Sequence, residues 1–120
     1  MVVDDEKDIL DIIKMALEKY NYLVRSHTDP RDALEDITSN PSQYSILLTD
    51  IRMPYMTGMQ LATEALKINA AIEIIFMTAF EMDEQTILAY PHLKRDEVMQ
   101  KPFKVKELCD SIRKRLPKSG

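Results

Sequence analysis

Glycine occurs at only two positions, Gly58 and Gly120. That scarcity excludes a glycine-rich loop that cradles a phosphate in backbone amides, so any phosphate handled by this chain must be held some other way. Cysteine occurs once, at Cys109, which excludes an internal disulfide and fits a cytoplasmic home. Its place among the apolar positions of a helix makes it a core residue rather than a nucleophile. No stretch approaches the roughly 20 apolar residues of a membrane-spanning helix, and nothing ahead of the first acids has the pattern of a secretory leader. The formal charge of −4 gives no sign of a global nucleic-acid binder. What remains is a chain of 120 residues, 45% of them hydrophobic, which is the size and composition of one domain spanning residues 1–120.

Short apolar runs alternate with helical patterns. Met1-Val2-Val3 reads as a strand, short for a central one, and ends in Asp4-Asp5-Glu6. Ile9, Ile12, Ile13, Ala16, Leu17 and Tyr20 then recur at steps of three and four, one apolar helical stripe. Asn21, able to adopt the left-handed conformation, ends that helix. Tyr22 to Ser26 is a second strand. Asp29-Pro30 starts a helix with an acid cap and a proline in its first turn, and Ala33, Leu34 and Ile37 give it an apolar face. After the turn cluster Ser39-Asn40-Pro41-Ser42, a third strand runs from Ser45 to Asp50. Gly58 follows the Asp50 loop, where a backbone conformation barred to other residues accounts for it. The next helix carries Leu61, Ala62, Ala65, Leu66 and Ile68 and ends near Asn69. Ile72 to Met77 is a fourth strand closed by Thr78, and Glu81 to Ala89 a helix stopped at Pro91. Asp96 to Gln100 is a weak fifth strand before Lys101-Pro102-Phe103. The last helix presents Val105, Leu108, Cys109, Ile112 and Leu116 on one face and ends in Arg113-Lys114-Arg115. Five strands and five helices in alternation predict an α/β fold, a doubly wound parallel sheet with helices on both faces.

In a parallel sheet all strands end on one edge, which is where ligands of such folds bind. Asp4-Asp5, Asp50, Thr78 and Lys101 each close a different apolar run, so all are predicted along one rim. Acids gathered there repel one another unless a cation or proton intervenes. Carboxylate oxygens with room for water suit Mg²⁺, and Lys101 adds a second cation. A carboxylate nucleophile, a divalent metal, a lysine and a hydroxyl form a complete set for accepting a phosphoryl group. Taken singly, each feature has a plainer explanation, since acid pairs cap helices, Lys-Pro marks loops and threonine ends strands. Their joint placement at four strand ends favours the chemical reading.

The order and spacing of Val2-Val3-Asp4-Asp5-Glu6, of Leu48-Thr49-Asp50-Ile51-Arg52-Met53-Pro54-Tyr55-Met56-Thr57-Gly58, of Thr78-Ala79 and of Lys101-Pro102-Phe103 resemble the receiver domain of two-component response regulators over essentially the whole chain. The resemblance implies a flavodoxin-like, CheY-like sheet of order 2-1-3-4-5. It implies that Asp50 is the phosphorylated residue, that Asp5, Asp50 and the backbone carbonyl of Arg52 ligate Mg²⁺ with Asp4 acting mostly through water, and that Thr78 and Lys101 contact the phosphoryl oxygens. The donor would be a phosphohistidine on a sensor histidine kinase or a phosphotransfer protein. The output domain or target would be met through the fourth predicted helix, the fifth strand and the last helix, with a homodimer as one form of that contact and no direct binding of nucleic acid or membrane. Such a protein is a signalling switch that catalyses only its own phosphorylation and slow dephosphorylation. Arg52 and Phe80 would border the path of the hydrolytic water.

The chain departs from the family pattern twice. The usual aromatic three residues before the lysine is Val98, which puts the threonine–aromatic switch in doubt, and the usual Gly-Ala pair before the fifth strand is replaced by Pro91-His92-Leu93-Lys94-Arg95. Two rival readings remain. An aspartyl phosphatase would carry an acid–base Asp two residues after its nucleophile, where this chain has Arg52. A module that binds partners without taking phosphate would not need the intact acid pair, Asp50, Thr78 and Lys101.

Overall fold

The computed structural model describes residues 1–79 and 98–116. Within them, β1 (Val2–Val3), β2 (Ser26–His27), β3 (Ile46–Asp50), β4 (Glu73–Thr78) and β5 (Val98–Gln100) alternate with α1 (Lys7–Glu18), α2 (Pro30–Ser39), α3 (Gly58–Ile68) and α4 (Val105–Arg115). The strands form one sheet in the order β2-β1-β3-β4-β5, every pairing parallel, which is the predicted topology. The helix expected over Glu81 to Ala89, Phe80, and the Pro91 to Arg95 stretch with His92 lie outside the described residues.

Successive side chains of a strand point to opposite faces, and here that alternation sorts the core into two layers. Val3, Leu47, Ile74 and Phe76 face Ala33 and Ile37 of α2 and Leu61, Ala62 and Ala65 of α3. Val2, Leu48, Ile75 and Met77 face Leu10, Ile13 and Leu17 of α1 and Leu108, Cys109 and Ile112 of α4. The central strands are therefore apolar on both faces, as parallel strands covered by helices must be. Cys109 is buried in the second layer, and burial pushes its thiol above the ordinary value, in keeping with a packing role.

Three sequence expectations need correction. The buried face of α1 keeps Ile13 and Leu17 of the expected stripe but adds Leu10 and leaves Ile12 and Tyr20 63% and 53% exposed. Apolar residues cover more of this helix than the sheet can bury, and packing against Val2 and Leu48 selects the face. The second strand is Ser26–His27 rather than Tyr22 to Ser26. Its only ladder partners in β1 are Val2 and Val3, so the residues before it have no strand to pair with, apart from the Arg25 carbonyl, which accepts from the Val2 amide at 2.8 Å. Gly58 does not adopt a positive φ, so close packing, not conformational freedom, is what requires glycine there. By contrast Asn21 ends α1 with φ 67° as expected, and Asp29 caps α2 by accepting the Arg31 amide at 2.9 Å, with Pro30 in the first turn.

A polar cluster that the sequence did not reveal fastens α2 to the edge of the sheet. The Asp36 carboxylate meets His27 Nε2 at 2.8 Å, and accepts from the Tyr44 hydroxyl at 2.8 Å and from the Asn40 amide at 3.0 Å. Burial works against the Asp36 anion, but the hydrogen bonds from His27, Tyr44 and Asn40 outweigh it and hold its pKa below the ordinary 3.8. Burial and the same hydrogen bond push the Tyr44 phenol up to about 12. A carboxyl whose folded pKa is depressed contributes stability at pH values above its unfolded pKa and loses it as pH falls through the folded one. Asp36→Ala is thus expected to cost about 3 kcal/mol at neutral pH, the usual loss when buried partners are left unsatisfied. The gap from the parent should narrow below about pH 4, as urea denaturation across pH would read.

Candidate functional site at the carboxyl edge of the sheet

The parallel sheet brings the predicted residues to one rim. Asp4 follows β1, Asp50 ends β3, Thr78 ends β4 and Lys101 follows β5. Register enforces the grouping, since Val3 pairs with Thr49, Asp50 with Met77 and Thr78 with Gln100. The Lys101 amide also donates to the Thr78 carbonyl at 2.7 Å, tying the hydroxyl-bearing and lysine-bearing strand ends together.

Carboxylate oxygens of Asp4, Asp5 and Asp50 all lie within 4.8 Å of one another. Asp4 is fully buried and Asp50 nearly so, whereas Asp5 is exposed. The Lys101 ammonium donates to Asp4 Oδ2 at 2.6 Å and reaches Asp50 Oδ2 at 3.3 Å. Asp4 Oδ1 accepts the Glu6 amide at 2.9 Å, so both Asp4 oxygens already have partners. Asp50 and Asp5 are the carboxylates with oxygens to offer an incoming ligand. Thr78 is buried at 3% exposure. Arg52 is exposed in the loop after β3.

The electrostatics follow from that geometry. Burial raises the Asp50 pKa; the Lys101 charge opposes this and the Asp4 charge adds to it, leaving a net upward shift. Burial also pulls the Lys101 ammonium down, but its hydrogen bond to Asp4 and the charges of Asp50 and Asp4 more than compensate, so it remains firmly cationic. The rim holds more negative charge than one lysine neutralises. Carboxylate oxygens are hard donors that suit Mg²⁺ rather than a softer metal, and the cluster of Asp4, Asp5 and Asp50 therefore fits that ion.

The loop carrying Arg52 is tightly built. The Ile51 amide donates to the Met77 carbonyl at 3.1 Å and the Gly58 amide to the Ile51 carbonyl at 2.8 Å. Thr57 caps α3 reciprocally with Gln60, at 3.2 and 2.9 Å. Between them the Met56 amide donates to the Pro54 carbonyl at 2.9 Å, a γ-turn with Tyr55 at its centre and φ 75°. A non-glycine residue in that region costs roughly 1 kcal/mol or more, and such strain collects at functional loops.

One contact beside the site was not legible in the sequence, and the packing of Val98 bears out a departure that was. Arg31 of α2 lies over the Tyr55 ring, its guanidinium carbon 3.6 Å from the ring centre; only the Asp-x-Arg spacing at the α2 cap hinted at an oriented arginine. Val98 is half-buried, pairs with Phe76 and packs against the first core layer, so the position expected to hold a movable aromatic is an aliphatic part of the core. An apolar cavity of about 290 Å³ lies at the opposite end of the sheet, among Leu17, Val24, Ile46 and Ile112. It contains none of the rim residues. Among the described residues no helix is long and apolar enough to cross a membrane.

Comparison with known proteins shows what the chain as a whole is similar to. Residues 1–113 match the response regulator receiver domain family. The chain is 34% identical over 119 residues to the response regulator receiver protein CpdR of Brucella abortus, covering 97% of this chain and 94% of that one. It is 33% identical over 108 residues to the response regulator SaeR of Staphylococcus epidermidis, covering 90% of this chain but 45% of that one. A response regulator receiver domain protein from Clostridium thermocellum superposes with a TM-score of 0.83 at 27% identity, covering 95% of this chain and 90% of that one.

Proposed function

We propose, because this chain belongs to the response regulator receiver domain family, that Asp50 is the residue on which it takes up a phosphoryl group in two-component signalling. The observation that supports this most directly is the Lys101 ammonium placed between Asp4 and Asp50 beside an acid cluster that one lysine cannot neutralise. A carboxylate oxygen of Asp50 forms the new O–P bond while the N–P bond of a phosphohistidine breaks, and the departing imidazole keeps the bonding pair and takes a proton. Receiver domains of response regulators meet histidine kinases or phosphotransfer proteins, and one of these is the donor.

Asp5, Asp50 and the Arg52 carbonyl would hold Mg²⁺, with Asp4 acting through water. When bound, the ion offsets charge building on the transferring group. Lys101 would serve the same end, exchanging its contact with Asp50 for a phosphoryl oxygen while Asp4 keeps it in place. The Thr78 hydroxyl donates to a second phosphoryl oxygen. Drawing Thr78 and Lys101 toward the added charge shifts the strand ends that carry them, which is how a charge at the rim becomes a change of surface. With Val98 fixed in the core, that change runs through the backbone link between Lys101 and Thr78 rather than through a swinging aromatic ring. The readout surface is β5 and α4 together with the segment between β4 and β5, presented to an output domain, a target or a second copy of the chain. Its action is cytoplasmic, in keeping with the single free thiol of Cys109.

Intact mass after incubation with a small phosphodonor tests this reading. One added phosphoryl group, present with Mg²⁺ and absent with a chelator, is the expected result. Equal uptake with the chelator would refute the metal role, and no uptake in folded protein that binds Mg²⁺ would move the acceptor chemistry to a dedicated kinase.

A further inference from the structure

Arg31 and Tyr55 belong to different elements, and neither is part of the acid cluster. Arg31 is in the first turn of α2, and Tyr55 is the centre of the γ-turn in the loop that also carries Arg52. The guanidinium is aimed before it meets the ring. Asp29, already the α2 cap, receives Arg31 Nε at 3.1 and 3.2 Å and a terminal nitrogen at 2.7 Å. A two-pronged carboxylate pair fixes the plane of a guanidinium as well as its position, and the exposed Tyr55 ring lies 3.6 Å from its carbon. One capping acid thus orders an arginine, and the arginine covers an aromatic ring that sits at a strained backbone position.

We infer that this stack is a clamp that holds the loop after Asp50 in its working shape, making Arg31 a positioning residue for the metal and phosphoryl site. Tyr55 stands three residues after Arg52 and three before Gly58. A residue with φ 75° is an unstable centre for a tight turn unless its side chain is held. With the ring held from α2, the turn between Arg52 and Thr57 keeps one arrangement, and the Arg52 carbonyl enters the rim already oriented. The cost of ordering the loop is met in the metal-free protein instead of being charged against metal affinity. The inference rests on the proposed metal role of the Asp50 rim.

Two readouts test it on the full chain. The first is hydrogen exchange of the Met56 and Gly58 amides without metal. The second is Mg²⁺ affinity by titration calorimetry. Arg31→Ala is expected to speed exchange at both amides and weaken Mg²⁺ binding by about threefold each, the scale of one exposed cation–π contact. Tyr55→Leu, which keeps the side-chain bulk and the backbone strain but removes the ring face, should do the same. The double variant should match either single one, since both break one contact. Arg31→Lys should recover less than half of the loss, because lysine has no flat fork to pair with Asp29 while stacking. Multiplying effects in the double variant, or unchanged exchange and affinity in Arg31→Ala while the parent binds Mg²⁺, would overturn the clamp alone. A parent chain that binds no Mg²⁺ would bring down the rim reading and the inference with it.

Discussion

Asp50→Asn is expected to abolish phosphoryl uptake, by at least about 100-fold in rate, and to raise the stability of the metal-free protein. The first half follows from chemistry, since an amide has no anionic oxygen with which to form the O–P bond. The second follows from the geometry of the rim. Asp50 is nearly buried beside two other carboxylates, with oxygens of all three within 4.8 Å. Burial, the largest influence, pushes its pKa up. A carboxyl with a raised folded pKa lowers stability once both states ionise, and the cost is absent below its unfolded pKa. Asparagine removes that cost and keeps the shape. Lys101 is not stranded by the change, since its shorter contact is with Asp4 at 2.6 Å. A gain on the order of 1 kcal/mol, near 4 °C in melting temperature, is the scale seen when a functional site is relieved of strain. The gain should vanish below about pH 4, where the carboxyl is neutral in both states, and grow as pH rises through the raised value. Added Mg²⁺ should reverse the order of the two melting curves, because only the parent offers the full ligand set and binding to the folded state adds stability. An asparagine variant that melts lower than the parent at neutral pH without metal would show that the Lys101–Asp50 contact outweighs the repulsion.

The grouping of residues at this rim was legible in the sequence because it follows from where strands end. Each of Asp4, Asp50, Thr78 and Lys101 closes an apolar run, and a parallel sheet leaves such residues nowhere else to go. The two-layer core was legible for a similar reason, since the alternation of Val2 with Val3 and of Leu47 with Leu48 is a local pattern. What escaped depends on pairing across the chain. The α1 face could not be chosen without the sheet, because Ile12 and Leu10 are equally apolar and only one meets Val2 and Leu48. The short β2 is set by the length of β1. The Asp36 cluster joins residues from β2, α2 and the stretch before β3, and nothing in their spacing announces it. Arg31 and Tyr55 are 24 positions apart and meet only because α2 starts, and the Asp50 loop runs, on the same edge of the sheet.

Gly58 offers the sharpest test of how closely the end of β3 is built. Its φ is ordinary, so alanine would suit the backbone and the helix, and on propensity alone the change should stabilise α3 by up to about 1 kcal/mol. Space dictates the opposite. A β-carbon built there would overlap the Asp50 carbonyl oxygen and stand 3.0 Å from the Asp50 carbonyl carbon and 3.1 Å from the Ile51 α-carbon. All three are backbone atoms, so no rotamer change relieves the contact. Neither can α3 simply slide away, because the Gly58 amide donates to the Ile51 carbonyl at 2.8 Å and Leu61, Ala62 and Ala65 are packed in the core. Gly58→Ala is therefore expected to cost about 2–3 kcal/mol, the upper range for overpacking a dense site, and to lower the melting temperature by about 10 °C. Relief comes by pushing the end of β3 outward, and that is the peptide carrying the Asp50 carboxylate. A displacement of about 1 Å at a reacting group slows chemistry on the order of 100-fold, so uptake from a small phosphodonor should fall by that order at a temperature where the variant is still folded. The paired outcome discriminates between two roles for this glycine. Lost stability with normal uptake would mean that α3 yields and β3 holds. Loss of both would mean that the close approach of α3 to the Asp50 peptide is what sets the carboxylate in place.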